Sequence, residues 1–416
     1  MLENQSNCYR VVLPGLIGNV LEWYDFALYG YFASILSPLF FPAEDKATSY
    51  LATYSVFAIG FFMRPLGAIL FGYFGDRFGR KNSLSAAILL MAIPTMLIGC
   101  LPSYQQIGIW APVLLCICRL LQGIAVGGEF TGSIVYIVEQ SPVSSRGFYG
   151  SLAMASAFIG LLIGSITSLM VFQYFDHVSY AWRLPFISSL LLGAVGLYLR
   201  IGMPESPVFE SYIKQHPVDK FPFKTVLGAH KRSLLIAVGL VMLPSSGFYL
   251  SFVYLPTFLK EHIDFTIEVS MAINTFTMIG IIVLIPICGW LSDKCGRRKI
   301  LTTGALGFIL LSVPAYALLI DGNIFSASLA FSIFATLVAF SYATIPVVLV
   351  EMFPIAVRFT GMSLPYNLAN AVFGGTAPLV ATHLINLSNG NLYMPGIYLT
   401  VIAIISLFAI RYVEES

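Results

Sequence analysis

Charge is what this sequence has least of. Lys, Arg, Asp and Glu together make up 10% of the 416 residues, while hydrophobic types make up 58%; a soluble domain carries about 25% charged and about 45–50% apolar residues. So few charges cannot cover a water-facing surface of this size, and a mean hydropathy of +0.85 points to lipid as the natural solvent. Histidine is equally scarce. His177, His216, His230, His262 and His383 are dispersed near the ends of apolar runs, and there is no HExxH pattern, nucleophile constellation or Walker-A stretch. Metalloenzyme chemistry and ATP drive are therefore not expected, and no cofactor is implied. The six cysteines, Cys8, Cys100, Cys116, Cys118, Cys288 and Cys295, form no CxxC pair. Most sit in apolar runs, where a thiol behaves as a small hydrophobe, so neither a disulfide framework nor a metal site is expected. A net charge of +2 is too small for a nucleic-acid surface. A secretory leader is not expected either, since the first apolar run contains Glu22 and Asp25 and no clear cleavage site.

What the sequence does have is long apolar runs. About 20 apolar residues cross the hydrocarbon core as a helix, and backbone groups in lipid must bond internally. Twelve runs qualify: 12–40, 50–74, 83–102, 108–138, 148–173, 182–201, 232–259, 268–291, 300–320, 324–351, 361–386 and 394–412. With both termini placed in the cytoplasm, the inner segments carry seventeen Lys or Arg, from Arg10 through Arg200 to Arg411, and the outer ones only Lys46, Arg183 and Lys260. That asymmetry orients the chain by the positive-inside rule. The longest polar segment, 202–231, contains Pro204, Pro207, His216, Pro217 and Pro222 and separates six spans from six. The expected fold is an all-α membrane protein in two pseudo-symmetric six-helix bundles, 1–201 and 232–416, joined by a cytoplasmic linker.

The two halves repeat. Gly72-Tyr-Phe-Gly-Asp76-Arg77-Phe-Gly79-Arg80-Lys81 follows the second span, and Gly289-Trp-Leu-Ser-Asp293-Lys294-Cys-Gly296-Arg297-Arg298 follows the eighth, at an offset of 217. Val138-Glu139 with Pro142 and Arg146, and Val350-Glu351 with Pro354 and Arg358, repeat at an offset of 212. Repeated six-helix halves are a transporter architecture.

The G-x-x-x-D-R/K-x-G-R-R/K loops resemble the signature loop of the major facilitator superfamily. Arg119-Leu-Leu-Gln122-Gly123 resembles its second motif. Gly18-Asn19-Val-Leu-Glu22-Trp23-Tyr24-Asp25-Phe26, Arg64-Pro65-Leu66-Gly67, Gly127-Gly128-Glu129 and Ala181-Trp182-Arg183-Leu184-Pro185-Phe186 are similar to motifs of its metabolite:proton symporter branch. That branch includes carriers of proline and betaine, 2-oxoglutarate, citrate and shikimate, and the stretch 102–112 most resembles the proline/betaine type. The resemblance implies a proton-coupled symporter working by alternating access in a bacterial inner membrane. Its partners would be a small solute, protons and lipid, and it would function as a monomer. The solute implied is a proline/betaine-like zwitterion, with a small carboxylate as the alternative. Osmosensing carriers of that type can bear a long C-terminal coiled coil, whereas the sequence given ends at Ser416, just past the last span, a departure that leaves osmotic regulation open. Gly160-Leu-Leu-Ile-Gly164 lacks the Gly-Pro motif of drug:proton antiporters, which favours symport. A channel or sensor is not expected, because the sequence has no short pore loop and no added signalling domain.

Charges at membrane depth are costly and usually face a cavity or a partner. Gly18, Glu22, Asp25, Tyr29 and Phe32 form one helical stripe, and Arg119, Gln122, Glu129, Ser133 and Tyr136 another. Proton coupling needs a carboxyl that can be neutral or charged. Asp25 is the leading candidate, assisted by Glu129 or Glu22; the alternative is static pairing of Asp25 with Arg64, or of Glu129 with Arg119. Arg64 and Arg119 either clamp a substrate carboxylate or pair with an acid. Trp23, Tyr24 and Tyr29, with Tyr249 in the repeat-equivalent seventh span, could present aromatic faces to a quaternary ammonium or simply pack. Asn274, Tyr366 and Asn367 are the polar candidates of the second half, binding solute or bonding neighbouring helices. The loops Gly72, Asp76, Arg77, Gly79, Arg80 and Gly289, Asp293, Lys294, Gly296, Arg297 are expected to act as cytoplasmic latches. There Asp76 and Asp293 would accept hydrogen bonds from helix N-termini or pair with Arg.

Overall fold

The structure is a computed structural model. It describes the backbone of residues 2–175, 178, 180–217 and 219–414, and side chains there except at 2–11, 46, 47, 54 and 267. The side chains of Cys8, Arg10 and Lys46, and all of His177 and Ser416, lie outside the described residues.

Every regular element among the described residues is helical. The helices are α1 (Leu2–Tyr31), α2 (Lys46–Phe78), α3 (Arg80–Cys100), α4 (Trp110–Gln140), α5 (Arg146–Tyr174) and α6 (Arg183–Ile201), then α7 (Lys231–Phe248), α8 (Ile267–Cys295), α9 (Arg297–Ile320), α10 (Ile324–Met352), α11 (Arg358–Ala369) and α12 (Met394–Ile410). Among the described residues, ten stretches are long and apolar enough to span a membrane; the shorter α12 and the 30-residue α1 stand at the other two of the twelve positions expected from hydropathy. Two spans do not stay α-helical. α7 passes through a π-helical turn, Tyr249–Tyr254, before continuing as Leu255–His262, and α11 passes through Asn370–Gly374 before Ala377–Leu387. The linker is not featureless either, since it forms two short helices, Pro207–Gln215 and Pro222–Ala229.

Local chemistry sets several ends. α2 and α3 are joined by Gly79 alone, at φ +102°, and α8 and α9 by Gly296 alone, at φ +97°. Only glycine takes that backbone without strain, which is why the repeated loop keeps glycine there. Thr266 caps α8, accepting from the Val269 amide, and Asn323 caps α10, accepting from Phe325. Ser206 caps the first linker helix, with Pro207 in its first turn.

The helices fall into two compact units. Unit 1 comprises Met1–Gln140, Ser156–Thr225 and Ile355–Leu364; unit 2 comprises Ser141–Ala155, Val226–Pro354 and Pro365–Ser416. The first turns of α5 thus belong to unit 2, and those of α11 to unit 1. In unit 1, α4 is the central helix, packed by α1, α2 and α3. α2 and α4 approach backbone to backbone: a side chain at Gly127 would run into the Arg64 carbonyl, and one at Gly123 into that of Gly60. In unit 2, α10 is central, packed by α7, α8 and α9. Large apolar side chains such as Phe62, Leu191, Phe276 and Leu379 are exposed on the outer faces, as a lipid-facing surface requires.

Candidate transport site

The polar chemistry of unit 1 gathers on α1. Gly18 and Glu22 share one helical face, and Gly18 lies directly against the guanidinium of Arg200, with no room for a side chain. Arg200, in the last turn of α6, is fully buried and grips Glu129 of α4 with two prongs, Nη1 donating to Oε2 at 2.8 Å and Nη2 donating to Oε1. Nη1 also donates to the Leu84 carbonyl of α3 at 2.5 Å. This corrects two expectations. Glu129 pairs with Arg200 and not with Arg119, and Arg200 is not a solvated cation of the inner surface. The physical reason is helical geometry: Arg119 and Glu129 are ten residues apart on one helix, about 15 Å, whereas a long side chain near the end of α6 folds back along its own helix into the bundle.

Glu22 stands beside this pair. Both of its carboxylate oxygens are buried and neither has a hydrogen-bond partner among the described residues, although Glu129, Arg64, Arg200 and Asp25 all lie near enough to act on its charge. Asp25, one turn further along α1, accepts a hydrogen bond from the Ser189 hydroxyl of α6 at 2.6 Å. Ser133 donates to Asn19 Oδ1 at 2.5 Å and Asn19 donates to Ser156 at 3.3 Å, tying α1 to α4 and α5. Arg64 is fully buried, with its Cζ 6.0 Å from the Trp23 ring and 5.7 Å from that of Phe61. Trp23 packs edge-on against Phe26 and Phe130, and Tyr24 is set beside Ser188 and Thr167.

Arg119 occupies a separate aromatic cage. Its Cζ lies 4.5 Å from the centroid of Tyr29, 4.7 Å from Phe26 and 5.1 Å from Phe57. Nη1 donates to Gln122 at 2.7 Å, and Gln122 donates to Thr95 of α3 at 2.7 Å. Nε and Nη2 find no acceptor.

The polar candidates of unit 2 are uncharged. Asn274 donates to the Phe252 carbonyl inside the π turn of α7 at 3.1 Å. Tyr249 lies over Gly374. Ser245 donates to Asn370 Oδ1 at 2.7 Å, and Asn370 donates to the Tyr366 carbonyl at 2.9 Å. The two π turns are thus stitched side by side, with Tyr366 and Asn367 buried near them. Such turns recur at functional sites.

The repeated loops build two charge clusters. In unit 1, Asp76 accepts from the amides of Phe359 and Thr360, at 3.0 and 2.9 Å, at the start of α11. Arg80 bonds Asp76 and Glu139, and Glu139 also accepts from Arg358 at 3.0 Å. Glu205 of the linker accepts from the amides of Arg80 and Lys81, capping α3, and Phe209 covers the Arg80 guanidinium at 4.3 Å. Burial raises the Glu205 carboxyl above the ordinary range, against those amide bonds. In unit 2, Asp293 accepts from the amides of Gly147 and Phe148, both at 2.8 Å, at the start of α5. Glu351 is held by Arg146 and Arg297. Gly72 fits closely against Thr360, and Gly289 against Gly147 and Ser151. Arg77 and Lys294 lie outside both clusters, over Tyr73 and Trp290 respectively.

The same plan is found in known proteins. The Major Facilitator Superfamily profile matches residues 26–378 and again 245–416. The chain belongs to the major facilitator superfamily. It is 33% identical to the glycine betaine/proline/ectoine/pipecolic acid transporter of Dickeya dadantii, over 98% of this chain and 83% of that one. It is 33% identical to the proline/betaine transporter of Escherichia coli (96% and 82%) and 35% identical to a putative proline/betaine transporter of Staphylococcus aureus (100% and 90%). The proton:xylose symporter XylE superposes with a TM-score of 0.78 over 99% of this chain and 97% of that one, at 18% identity. The fucose:proton symporter of E. coli superposes at 0.74 over 98% and 100%, at 17% identity. As a member of the superfamily, the chain is an integral membrane transporter of a small solute and not an enzyme.

Residues absent from the sequence expectation now join the site: Arg200, Ser189 and Thr95 inside the bundle, and Glu205 and Phe209 at the gate. For Arg200 the available signal was Gly18, a glycine on the polar stripe one turn before Glu22. For Glu205 it was an acid between two prolines at the very start of the polar segment.

Proposed function

We propose that the protein is a proton-coupled symporter that imports a proline- or betaine-like zwitterion. The observation that carries this reading is full-length similarity to proline/betaine transporters in a chain whose unit 1 buries, apart from the Asp76, Arg80 and Glu139 loop cluster, three acids with three cations. Glu22, Asp25 and Glu129 are matched by Arg64, Arg119 and Arg200. The balanced set suits a solute carrying both charges. A dicarboxylate calls for excess positive groups, and adding Arg200 to the two arginines expected from sequence still leaves no excess. Asp25 is the principal proton carrier in this reading. The Ser189 hydroxyl, a neutral donor, holds it in the bundle. Glu22 and Glu129 assist it. Arg64 with Trp23 and Tyr24 takes the carboxylate and ammonium ends of the solute, and Arg119 with Tyr29 supplies a further aromatic face. The Tyr249, Asn274, Tyr366 and Asn367 group of unit 2 contributes uncharged polar contacts, and its π turns give α7 and α11 a place to bend.

The two loop clusters act as latches on the cytoplasmic side of a bacterial inner membrane, with both termini on that side and the monomer as the working unit. Each latch is an aspartate on the N-terminus of a helix, where amide donors and the helix dipole favour an anion. Alternating access requires these bonds to open and reform once per cycle.

The test is uptake into proteoliposomes of proline, glycine betaine, 2-oxoglutarate, citrate and shikimate, with and without an inward proton gradient. Proline or glycine betaine should accumulate only with the gradient. Accumulation of a carboxylate instead, or uptake indifferent to the gradient, overturns the solute or the coupling respectively.

A further inference from the structure

We infer that the open edge of the Arg119 guanidinium is a seat for one small monovalent anion, either an inorganic anion such as chloride or the carboxylate of an arriving solute. The inorganic source stands apart from the symport reading above; the solute source rests on it. The donors of a guanidinium lie in one plane, and Nε with Nη2 forms the edge that grips a carboxylate through two parallel bonds. In Arg119 that edge has no acceptor among the described residues, although the side chain is fully buried. The rest of the group is fixed. Nη1 is on Gln122, which is itself held by Thr95, and the rings of Phe26, Tyr29 and Phe57 stand within 5.1 Å of Cζ. The Tyr29 hydroxyl donates elsewhere, to the Thr53 carbonyl at 3.1 Å. Gly60 of α2 faces the open edge, where an added Cβ would stand 3.1 Å from Nη2. A glycine there leaves room beside a donor that lacks an acceptor.

Charge makes the same demand as geometry. A cation at membrane depth is costly without a counter-charge, and the nearby acids of unit 1 are engaged elsewhere. Glu129 is held by Arg200, and Asp25 accepts from Ser189. None of the ion pairs among the described residues includes Arg119. A single negative charge balances the guanidinium, whereas a dianion would carry an uncompensated charge back into the bundle. The seat is also distinct from the Arg64 position. Gly127, which meets the Arg64 carbonyl, is two turns further along α4 than Arg119, roughly 12 Å. With both termini cytoplasmic, α4 starts on the outer side, so a solute entering from outside meets Arg119 before Arg64.

The experiment is equilibrium binding of radiolabelled chloride and of radiolabelled glycine betaine to the purified full chain in detergent. The buffer's other anion is a sulfonate too bulky for a seat walled by rings. Chloride should bind saturably, and Arg119→Gln should weaken it about tenfold or more, as the loss of charge-assisted bonds implies. Arg119→Lys keeps the charge and should retain chloride binding, which separates loss of the seat from misfolding. Gly60→Ala also keeps the charge but fills the room beside Nη2, and should weaken chloride about fivefold or more. Glycine betaine that displaces chloride and binds more weakly to Arg119→Gln identifies the solute carboxylate as an occupant. Glycine betaine that binds without displacing chloride, and equally to Arg119→Gln, assigns the seat to the inorganic anion. Wild-type protein that binds neither ligand, or affinities for both that are the same in Arg119→Gln as in wild type, overturns the inference. Failure of glycine betaine alone to bind removes the solute reading and leaves the chloride seat standing.

Discussion

The two units are built from repeated sequence yet differ in what they bury. Unit 1 holds arginines and acids at membrane depth, in the Arg200–Glu129 pair and the aromatic cage of Arg119. Unit 2 answers with serine, asparagine and tyrosine around two π-helical turns. Their latches differ too. Asp76 and Arg80 are buried under Glu205 and Phe209, whereas Arg146 and Glu351 remain 21% and 23% exposed. Duplication thus preserved the frame, the glycine corners and the aspartate-on-helix bonds, while ionisable chemistry is concentrated in one unit and backbone irregularity in the other. The proposed mechanism assigns protons and charge to unit 1 and the bending parts to unit 2.

The strongest way to break this comparison is to remove Arg200. Arg200→Met leaves Glu129 charged and alone, which should cost about 3–5 kcal/mol, read as a collapse in folded yield and thermal stability. The double variant Arg200→Met/Glu129→Leu should recover most of that loss. Arg146→Met in unit 2, breaking a half-exposed pair, should cost no more than about 1 kcal/mol. If the two single variants behaved alike, the asymmetry would be spurious.

The latches come next. Asp76→Asn weakens two charge-assisted amide bonds in a buried setting, each worth about 1.5–3 kcal/mol, so transport turnover should drop about tenfold or more while surface expression holds. Asp293→Asn in the half-buried latch should lower turnover less. Equal rates for both variants and wild type would remove the latch role. A smaller effect is expected at Arg119. Lysine keeps the charge but loses planar stacking in the cage, about 1 kcal/mol, so Arg119→Lys should slow uptake about fivefold. Asn370→Ala, which unstitches the π turns of unit 2, should shift thermal stability least, near the roughly 0.6 kcal/mol typical of interhelical hydrogen bonds in membranes.

Much of the fold was legible in the sequence because lipid imposes a simple rule: a run long enough to span and poor in charge becomes a helix. The Gly79 and Gly296 corners were legible as repeats, and the α1 stripe as periodicity. Arg200 was not. It is two residues from the polar linker, and a count of flanking cations assigns it to the aqueous side; the packing of α6 against α3 and α1 turns it inward. The π turns escaped because Tyr249–Tyr254 and Asn370–Gly374 are as apolar as their surroundings, and hydropathy does not distinguish one helical pitch from another. Glu205 belongs to a segment whose polarity suggested mere connection, while its carboxylate caps α3.

The central claim is that the solute moves together with a proton through the buried acids of unit 1. Its most direct test is to load proteoliposomes with a pH-sensitive dye, add glycine betaine or proline outside at equal internal and external pH, and follow the lumen. Wild-type vesicles should acidify internally as solute enters, and Asp25→Asn vesicles should not. A wild-type lumen whose pH stays constant while solute accumulates, or an Asp25→Asn lumen that acidifies as fast as wild type, would contradict the account.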